Sequence, residues 1–372
     1  MTELRVLHVG PRPPVGGVVN GIDTAVWPLL TAQAAQKTEI TLLVGGSVEG
    51  QVRDIAAANH VELAVVPTVA RHFSFPAVSA MLQVLRPDVV HFHSVFVPAH
   101  AALALQLRRH RIPYCVSPHG GLNLWRGQLK KAAYGAVVEK PYLRRADTIF
   151  VLTAREQAVL DGWLGADNRR YVELPNAVPA GQPSPRWQRP QQAKLVYLGR
   201  FDVYKKGLDR LVEVARLLPD VEVSAYGLAS GSERRDFQSL LSKGVPANMH
   251  FRGPIYGGEK IAALLSASMY VQLSRDEGFG MSIVEAMRLG VPVAISAGCA
   301  IADRLAEEDL GLILPDDPAR AAVVIKAALG DDARVSKWSR SGSEWTTRTL
   351  ASNVIAQQAL NVYRAAADRA GQ

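Results

Sequence analysis

The sequence predicts an α/β protein made of two doubly wound parallel-sheet domains, and three observations carry that prediction. Short runs rich in Val, Ile and Leu recur along the 372 residues and alternate with segments of helical periodicity. That is the pattern of parallel strands covered by helices on both faces. The alternation runs twice, and between the two passes lies VPAGQPSPRWQRPQQ (178–192), dense in Pro and Gln, which reads as a connector.

The first pass offers strand segments at 4–9, 39–44, 61–66, 88–93, 113–117, 148–152 and 171–174, with helical stretches such as 19–35, 76–85, 98–110 and 127–145 between them. The second offers strands at 194–199, 221–226, 249–253, 270–274, 291–296 and 312–315. The expected organisation is an N-terminal domain over 1–180, a linker over 181–192, a C-terminal domain over 193–345 and a C-terminal helix over 346–372 that crosses back to the first domain. Trp338 and Trp345 are expected to pack the closing helix (345–366) across the domain interface.

Composition narrows the function classes. Hydrophobic residues at 48% and charged residues at 20% suit a soluble globular chain. No run approaches the roughly 20 apolar residues of a membrane-spanning helix. The opening MTELRVLHVG lacks the layout of a signal peptide, and Cys115 and Cys299 fit no disulfide or metal spacing, so a reducing cytoplasm is expected. The net charge of +8 sits mostly in the first half, where residues 1–186 hold 19 Lys and Arg against 13 Asp and Glu. A basic half suits a nucleic acid, a phosphorylated substrate or an anionic membrane, and equally a merely basic solvated surface.

In open α/β sheets ligands bind beyond the carboxyl ends of the strands, so two such domains facing one another are expected to enclose a cleft. The motifs follow strands accordingly. SRDEGFGMSIVEAMRLGVPV (274–293) leaves a strand, turns at Gly278 and Gly280, and enters a helix whose N-terminus suits a phosphate. Glu277 and Glu285 flank that turn and suit a polyol, because carboxylates accept hydrogen bonds from hydroxyls. In YLGRFDVYKKGLDRLVEVARLLP (197–219) a strand ends at Gly199, and Arg200 and Lys206 share one strand-to-helix loop, where two cations can grip a diphosphate. Taken singly, each motif also reads as a glycine turn with solvated charges.

Together the order Gly-Arg, Lys-Gly, then Glu with seven intervening residues before Glu resembles glycosyltransferase family 4, over roughly 4–365 and most specifically over 194–296. The resemblance implies the GT-B fold and a retaining transfer of a hexose-type sugar from a UDP- or GDP-linked donor. It implies a glycan or lipid-linked acceptor, such as a polysaccharide precursor. By the same resemblance Arg200 and Lys206 bind the diphosphate, Glu277 contacts the donor sugar, and Glu285 holds the ribose. The backbone at Phe279, Gly280, Met281 and Ser282 approaches sugar and phosphate. PRPPVGGV (11–18) resembles the phosphate-facing glycine loop, with Gly16 and Gly17 as its candidates. SPHGG (117–121) places His119 beside the sugar as a catalytic candidate, and FRGPIYGG (251–258), with Gly253 and Ile255, resembles the loop that contacts the base.

Departures are visible too. LPNAV (174–178) has Ala177 where the family has glycine, implying only a tight turn. YGLASG (226–231) replaces the usual Gly-x-Gly, and SAGCAIADRL (296–305) lacks the usual glutamate and is assigned no role. His91 and His93 alternate on one strand and point to the same side, where Asp88 or His119 would complete a metal-ligand set. Two cations can neutralise a diphosphate without a metal, so neither metal nor other cofactor is expected.

The rival readings are a GT-B epimerase or phosphorylase, and a non-catalytic nucleotide or nucleic-acid binder. No nucleic-acid motif is present, and Glu277 and Glu285 would repel phosphates. The stretch LNLWRGQLKKAAYGAVVEKPYLRR (122–145) mixes apolar and basic residues, so it reads either as an ordinary helix or as a peripheral contact with the inner face of an anionic membrane.

Overall fold

A computed structural model describes residues 3–10, 21–69, 72–122, 129–165, 170–181, 183 and 186–371. Gly16, Gly17 and residues 123–128 of the basic stretch lie outside the described residues. The chain divides into two compact units, one of residues 1–179 and 350–372 and the other of residues 180–349.

The first unit holds the strands β1 (Arg5–Val9), β2 (Glu39–Gly45), β3 (Val61–Val66), β4 (Thr68–Val69), β5 (His72–Phe73), β6 (Val89–His93), β7 (Tyr114–Ser117), β8 (Thr148–Val151) and β9 (Tyr171–Glu173). Its helices are α1 (Gly21–Ala34), α2 (Gly50–Ala58), α3 (Phe75–Leu85), α4 (Pro98–Arg109), α5 (Leu129–Tyr134), α6 (Lys140–Arg144) and α7 (Ala154–Leu164), with a π-helical turn over Gly135–Glu139 joining α5 to α6. Seven strands form one parallel sheet in the order β3-β2-β1-β6-β7-β8-β9, and β4 and β5 make a small antiparallel hairpin apart from it.

Alternation along each strand decides which face a side chain meets. Leu7, Val9, Val90 and Phe92 enter one core with Leu82, Leu107 and Leu160. Val6, Val89, Cys115 and Phe150 enter the other, with Leu30 of α1 and with the last helix, numbered α15 below (Ser352–Gly371). That helix lays a stripe of Ile355, Ala356, Ala359, Leu360, Tyr363 and Ala366 against this face, all buried. Each large member of the stripe contributes about 1.5–3 kcal/mol by leaving water.

The second unit holds β10 (Lys194–Leu198), β11 (Glu222–Tyr226), β12 (Met249–Arg252), β13 (Met269–Gln272), β14 (Val293–Ser296) and β15 (Leu312–Leu314). Between and after them come α8 (Leu208–Leu217), α9 (Glu233–Ser242), α10 (Gly257–Leu265), α11 (Met281–Arg288), α12 (Ala302–Glu307), α13 (Pro318–Leu329) and α14 (Asp332–Thr349). Its parallel sheet runs β12-β11-β10-β13-β14-β15. Strand order therefore reverses between β1 and β6 in the first sheet and between β10 and β13 in the second, the places where such sheets open a crevice.

Two features differ from the expectation. The C-terminal helical stretch breaks at 350–351 into α14 and α15. Trp338 and Trp345 both belong to α14 and are fastened within the second unit, by hydrogen bonds from their indole N–H groups to Asp309 (3.0 Å) and Glu308 (3.1 Å). They serve that unit's own packing. The Pro-rich stretch is also held there: Trp187 donates from its backbone to Leu289 and from its ring to Ala267.

Candidate active site

In the second unit the loop after β10 is shaped by two glycines. Gly199 lies where a Cβ would come within 2.7 Å of the Tyr197 hydroxyl, itself bonded to the Arg200 carbonyl at 2.8 Å. Gly207 has φ +66°, and a Cβ there would sit 2.0 Å from the carbonyl oxygen of Leu273, so only glycine lets this loop lie against the end of β13. Lys206 is thereby carried to the loop after β13, where its ammonium pairs with the Glu277 carboxylate; their side chains are only 13% and 17% exposed.

Glu277 is held from three directions. Gln272, on buried β13, donates to the same carboxylate oxygen at 2.6 Å. The side-chain amide oxygen of Gln272 accepts from the Tyr270 hydroxyl at 2.6 Å, and Ser282 lies 2.9 Å from that hydroxyl and donates to the backbone carbonyl of Leu198. The Glu277 backbone pairs with the stretch after β14, donating to Gly298 and accepting from Ala300. Thus 296–305, given no role from the sequence, clamps the backbone of this glutamate. Arg275 ties the two loops further, with a bidentate pair to Asp209 (2.8 and 2.6 Å) and a bond to the Tyr204 carbonyl.

Gly280, at φ +83°, caps the start of α11, placing Met281 and Ser282 in the first turn and Glu285 one turn on. Phe279 is buried at 5% exposure. Glu285 pairs with Lys260 of α10 at 2.8 Å. Arg200 does not join Lys206 and Glu277; its guanidinium pairs with Glu233 of α9 at 2.6 Å and is 59% exposed. Gly253 and Ile255 occupy the turn between β12 and α10, Gly253 exposed and Ile255 partly so. These groups follow the carboxyl ends of β10, β11, β12 and β13, and they put cations, carboxylates and a helix N-terminus at one end of the sheet.

In the first unit His119 follows β7 in a left-handed conformation, φ +53°. Its neighbour Gly120 donates to buried Glu156 at 2.6 Å, and the other oxygen of Glu156 accepts from Leu152 at 2.7 Å, so one carboxylate joins the turns after β7 and β8. Burial raises the pKa of Glu156 and lowers that of His119 to about 4. Both ring nitrogens of His119 are engaged, one with His93 and one with Asn176, each at 3.1 Å.

Behind it lie His8, His91 and His93, all buried, with one nitrogen of each within 4.8 Å of the others. Every ring nitrogen of the three has a hydrogen-bond partner already: Gln33, Tyr363, Ser117, His119 and one another. Asp88 stands apart, paired with Arg5. Desolvation lowers the pKa of His8 to about 3 and puts those of His91 and His93 well below the ordinary value.

Family comparison decides the class. The model described as "Glycosyl transferase 4-like domain" matches residues 20–177, and that described as "Glycosyl transferases group 1" matches residues 185–345. The chain belongs to glycosyltransferase family 4. This GT-B glycosyltransferase is 26% identical over 368 residues to a phosphatidyl-myo-inositol mannosyltransferase of Mycobacterium leprae, covering 94% of each chain. Over 224 residues, 56% of this chain and 58% of the relative, it is 29% identical to a 2-deoxystreptamine glucosyltransferase of Streptomyces kanamyceticus. Its fold is similar to that of sucrose-phosphate synthase from Thermosynechococcus elongatus, with TM-score 0.77, 19% identity and coverage of 98% and 99%. It is also similar to Anabaena HepE in complex with UDP and glucose, with TM-score 0.75, 14% identity and coverage of 98% and 100%.

The glycosyltransferase thus joins Lys206 to Glu277 directly, while Arg200 and Glu285 take partners that no motif signals. Gln272, Glu233 and Lys260 complete these contacts in the second unit, while in the first Glu156, Asn176 and, through His93, His8 hold the His119 turn. Gln272 and His8 left a trace in the sequence as polar residues inside otherwise apolar strands, and Asn176 as part of LPNAV.

Proposed function

We propose that this glycosyltransferase moves a hexose from a UDP- or GDP-linked donor to a lipid-linked or cell-surface glycan precursor, with retention of anomeric configuration and without a metal. The cluster of Lys206, Glu277 and Gln272 beside the N-terminus of α11 carries the reading. As the bond from anomeric carbon to phosphate stretches, negative charge grows on the leaving diphosphate, and preorganised cations and helix N–H groups stabilise it. Lys206 and the first turn of α11 take that role, joined by Arg200 once it exchanges Glu233 for phosphate. Glu277 orients sugar hydroxyls, Glu285 the ribose, and Gly253 and Ile255 border the base. With its pKa lowered to about 4, His119 is neutral at pH 7 and serves as a hydrogen-bonding group toward the sugar rather than as a cation.

The name of the mycobacterial relative, a phosphatidyl-myo-inositol mannosyltransferase, supports a lipid-linked acceptor. Among the described residues no helix is long and apolar enough to cross a membrane. A peripheral seat on the cytoplasmic face, through the basic stretch 122–145, fits both. The decisive assay incubates the enzyme with a panel of nucleotide-sugars and measures release of the nucleoside diphosphate. Release from one UDP- or GDP-sugar with an α-linked product from an α-linked donor is expected; inversion or epimerised donor overturns the reading. Flotation with vesicles tests the location: binding that is equal for neutral and anionic lipid refutes the membrane contact.

A further inference from the structure

The chain Gln33–His8–His93–His119–Asn176 contains more hydrogen bonds than its protons can fill. Gln33 Oε1 faces His8 Nε2 (2.8 Å), His8 Nδ1 faces His93 Nε2 (2.9 Å), His93 Nδ1 faces His119 Nε2 (3.1 Å), and His119 Nδ1 faces Asn176 Oδ1 (3.1 Å). Both ends present an amide oxygen to the chain. Four links need four protons, and three neutral imidazoles carry one N–H each. Either a ring is cationic or one terminal amide is turned over.

The far end settles which. Tyr363 Oη approaches His91 Nδ1 at 2.5 Å, the length of an O–H donor bond, so its lone pairs are left to accept from Gln33 Nε2 at 3.4 Å. That holds the Gln33 carbonyl toward His8. His8 is then protonated at Nε2 and accepts at Nδ1, and His93 and His119 follow in the same sense. A cation in the chain would sit among rings that burial keeps neutral: His8 and His93 are 0% and 1% exposed. The amide of Asn176, with His119 as its one side-chain partner among the hydrogen bonds described, is the end that turns.

We propose that Gln33, His8, His93 and Asn176 are positioning residues that fix His119 as its Nε2–H tautomer, with the Asn176 amide N–H donating to Nδ1 and the Asn176 carbonyl oxygen turned away from the ring. His119 therefore meets a ligand as a hydrogen-bond acceptor at Nδ1 when Asn176 yields, and not as a donor. This consequence rests on the reading above that His119 faces the sugar; the tautomer itself does not.

The test is ¹⁵N–¹H long-range correlation spectroscopy on the full chain labelled with ¹⁵N-histidine at pH 7.5, with resonances assigned through His→Gln variants. His8, His93 and His119 are expected as three neutral rings protonated at Nε2. In Asn176→Asp the terminal group can only accept, so a fourth proton enters and His119 shifts to the doubly protonated pattern. The more conservative Gln33→Glu is expected to hold the wild-type tautomer at His119. A wild-type His119 protonated at Nδ1, or an imidazolium in the wild type, overturns the proposal. So does a concerted shift of the three rings on adding one equivalent of Zn²⁺, which would make them a metal site. If the spectra are as expected and His119→Ala turns over like the wild type, the sugar-facing reading fails and the tautomer assignment stands.

Discussion

Removing the Lys206 ammonium separates catalysis from folding at one pair of atoms. The pair with Glu277 is 13% and 17% exposed, between the surface and the buried limits. Breaking a fully buried pair costs about 3–5 kcal/mol and a surface pair up to about 1, so Lys206→Ala is expected to cost about 1–2 kcal/mol of stability. That corresponds to a Tm drop of roughly 2–8 °C for a unit of this size. In catalysis the proposed role of Lys206 implies a larger loss, because its ammonium would face charge that appears only as the diphosphate leaves: about 10²–10³ in turnover, or roughly 2.7–4 kcal/mol. The double variant Lys206→Ala/Glu277→Gln removes the stranded carboxylate, and Gln272 still reaches the new amide. Its Tm is expected to return close to wild type while turnover stays low, since nothing restores the cation. Scanning calorimetry and nucleoside diphosphate release, measured on both variants, decide the matter. Turnover of Lys206→Ala within about threefold of wild type refutes the diphosphate role; a double variant as unstable as the single refutes the account of the pair.

The remaining predictions concern packing, protons and metal. Gly207→Ala must push a methyl into the Leu273 carbonyl, 2.0 Å away, at a left-handed φ, so its stability should fall by more than about 2 kcal/mol in urea unfolding; an unchanged midpoint contradicts the close approach. His8 and His100 have pKa values lowered by burial to about 3 and about 4, so the folded chain binds fewer protons than the unfolded one. Stability is therefore lost as pH falls below about 6.5, by about 2 kcal/mol for each at pH 5, and a flat profile between pH 7 and 5 would contradict their burial. Glu139, raised to about 7 by burial, works in the opposite sense and loses stability as pH rises from about 4.5 through 7. Turnover is expected to survive EDTA; loss that Mg²⁺ or Mn²⁺ restores would show that a metal takes part.

Both sheets were legible because parallel strands are buried on two faces and so read as unbroken apolar runs. VVHFH and MYVQ are as recognisable as LVYL, despite the polar residues inside them. What those polar residues do was not legible. His93 meets His8 across 85 positions, a pairing that comes from strand order, which no local window contains; Gln272 meets Tyr270 and Glu277 within five positions, the latter through a turn that strand periodicity does not describe. The glycine-rich loops announced Lys206, Glu277 and Glu285 because backbone geometry demands particular residues there. Arg200 was found by the same signal, but its partner Glu233 stands on the next crossover, where any exposed acid would look alike. The two-strand hairpin of β4 and β5 and the π-turn at 135–139 carry no periodic pattern to detect.

The second unit is contiguous in the chain, whereas the first is closed only by residues 350–372. The returning chain is fastened where it enters, Val178 bonding to Leu350 and Ser352 bonding back to Val178, and again near its end, where Arg369 pairs with Asp147. During synthesis, then, the sheet begun first is finished last. Its strands wait with one face covered only in part, by α1, while 180–349 emerge, and the arrival of Ile355, Leu360 and Tyr363 completes the cover. A ribosome stalled before codon 352 would hold a finished second unit attached to a first unit that still exposes part of its apolar surface. The helix Ser352–Gly371 thus lies far along the chain from the β-strands it packs on.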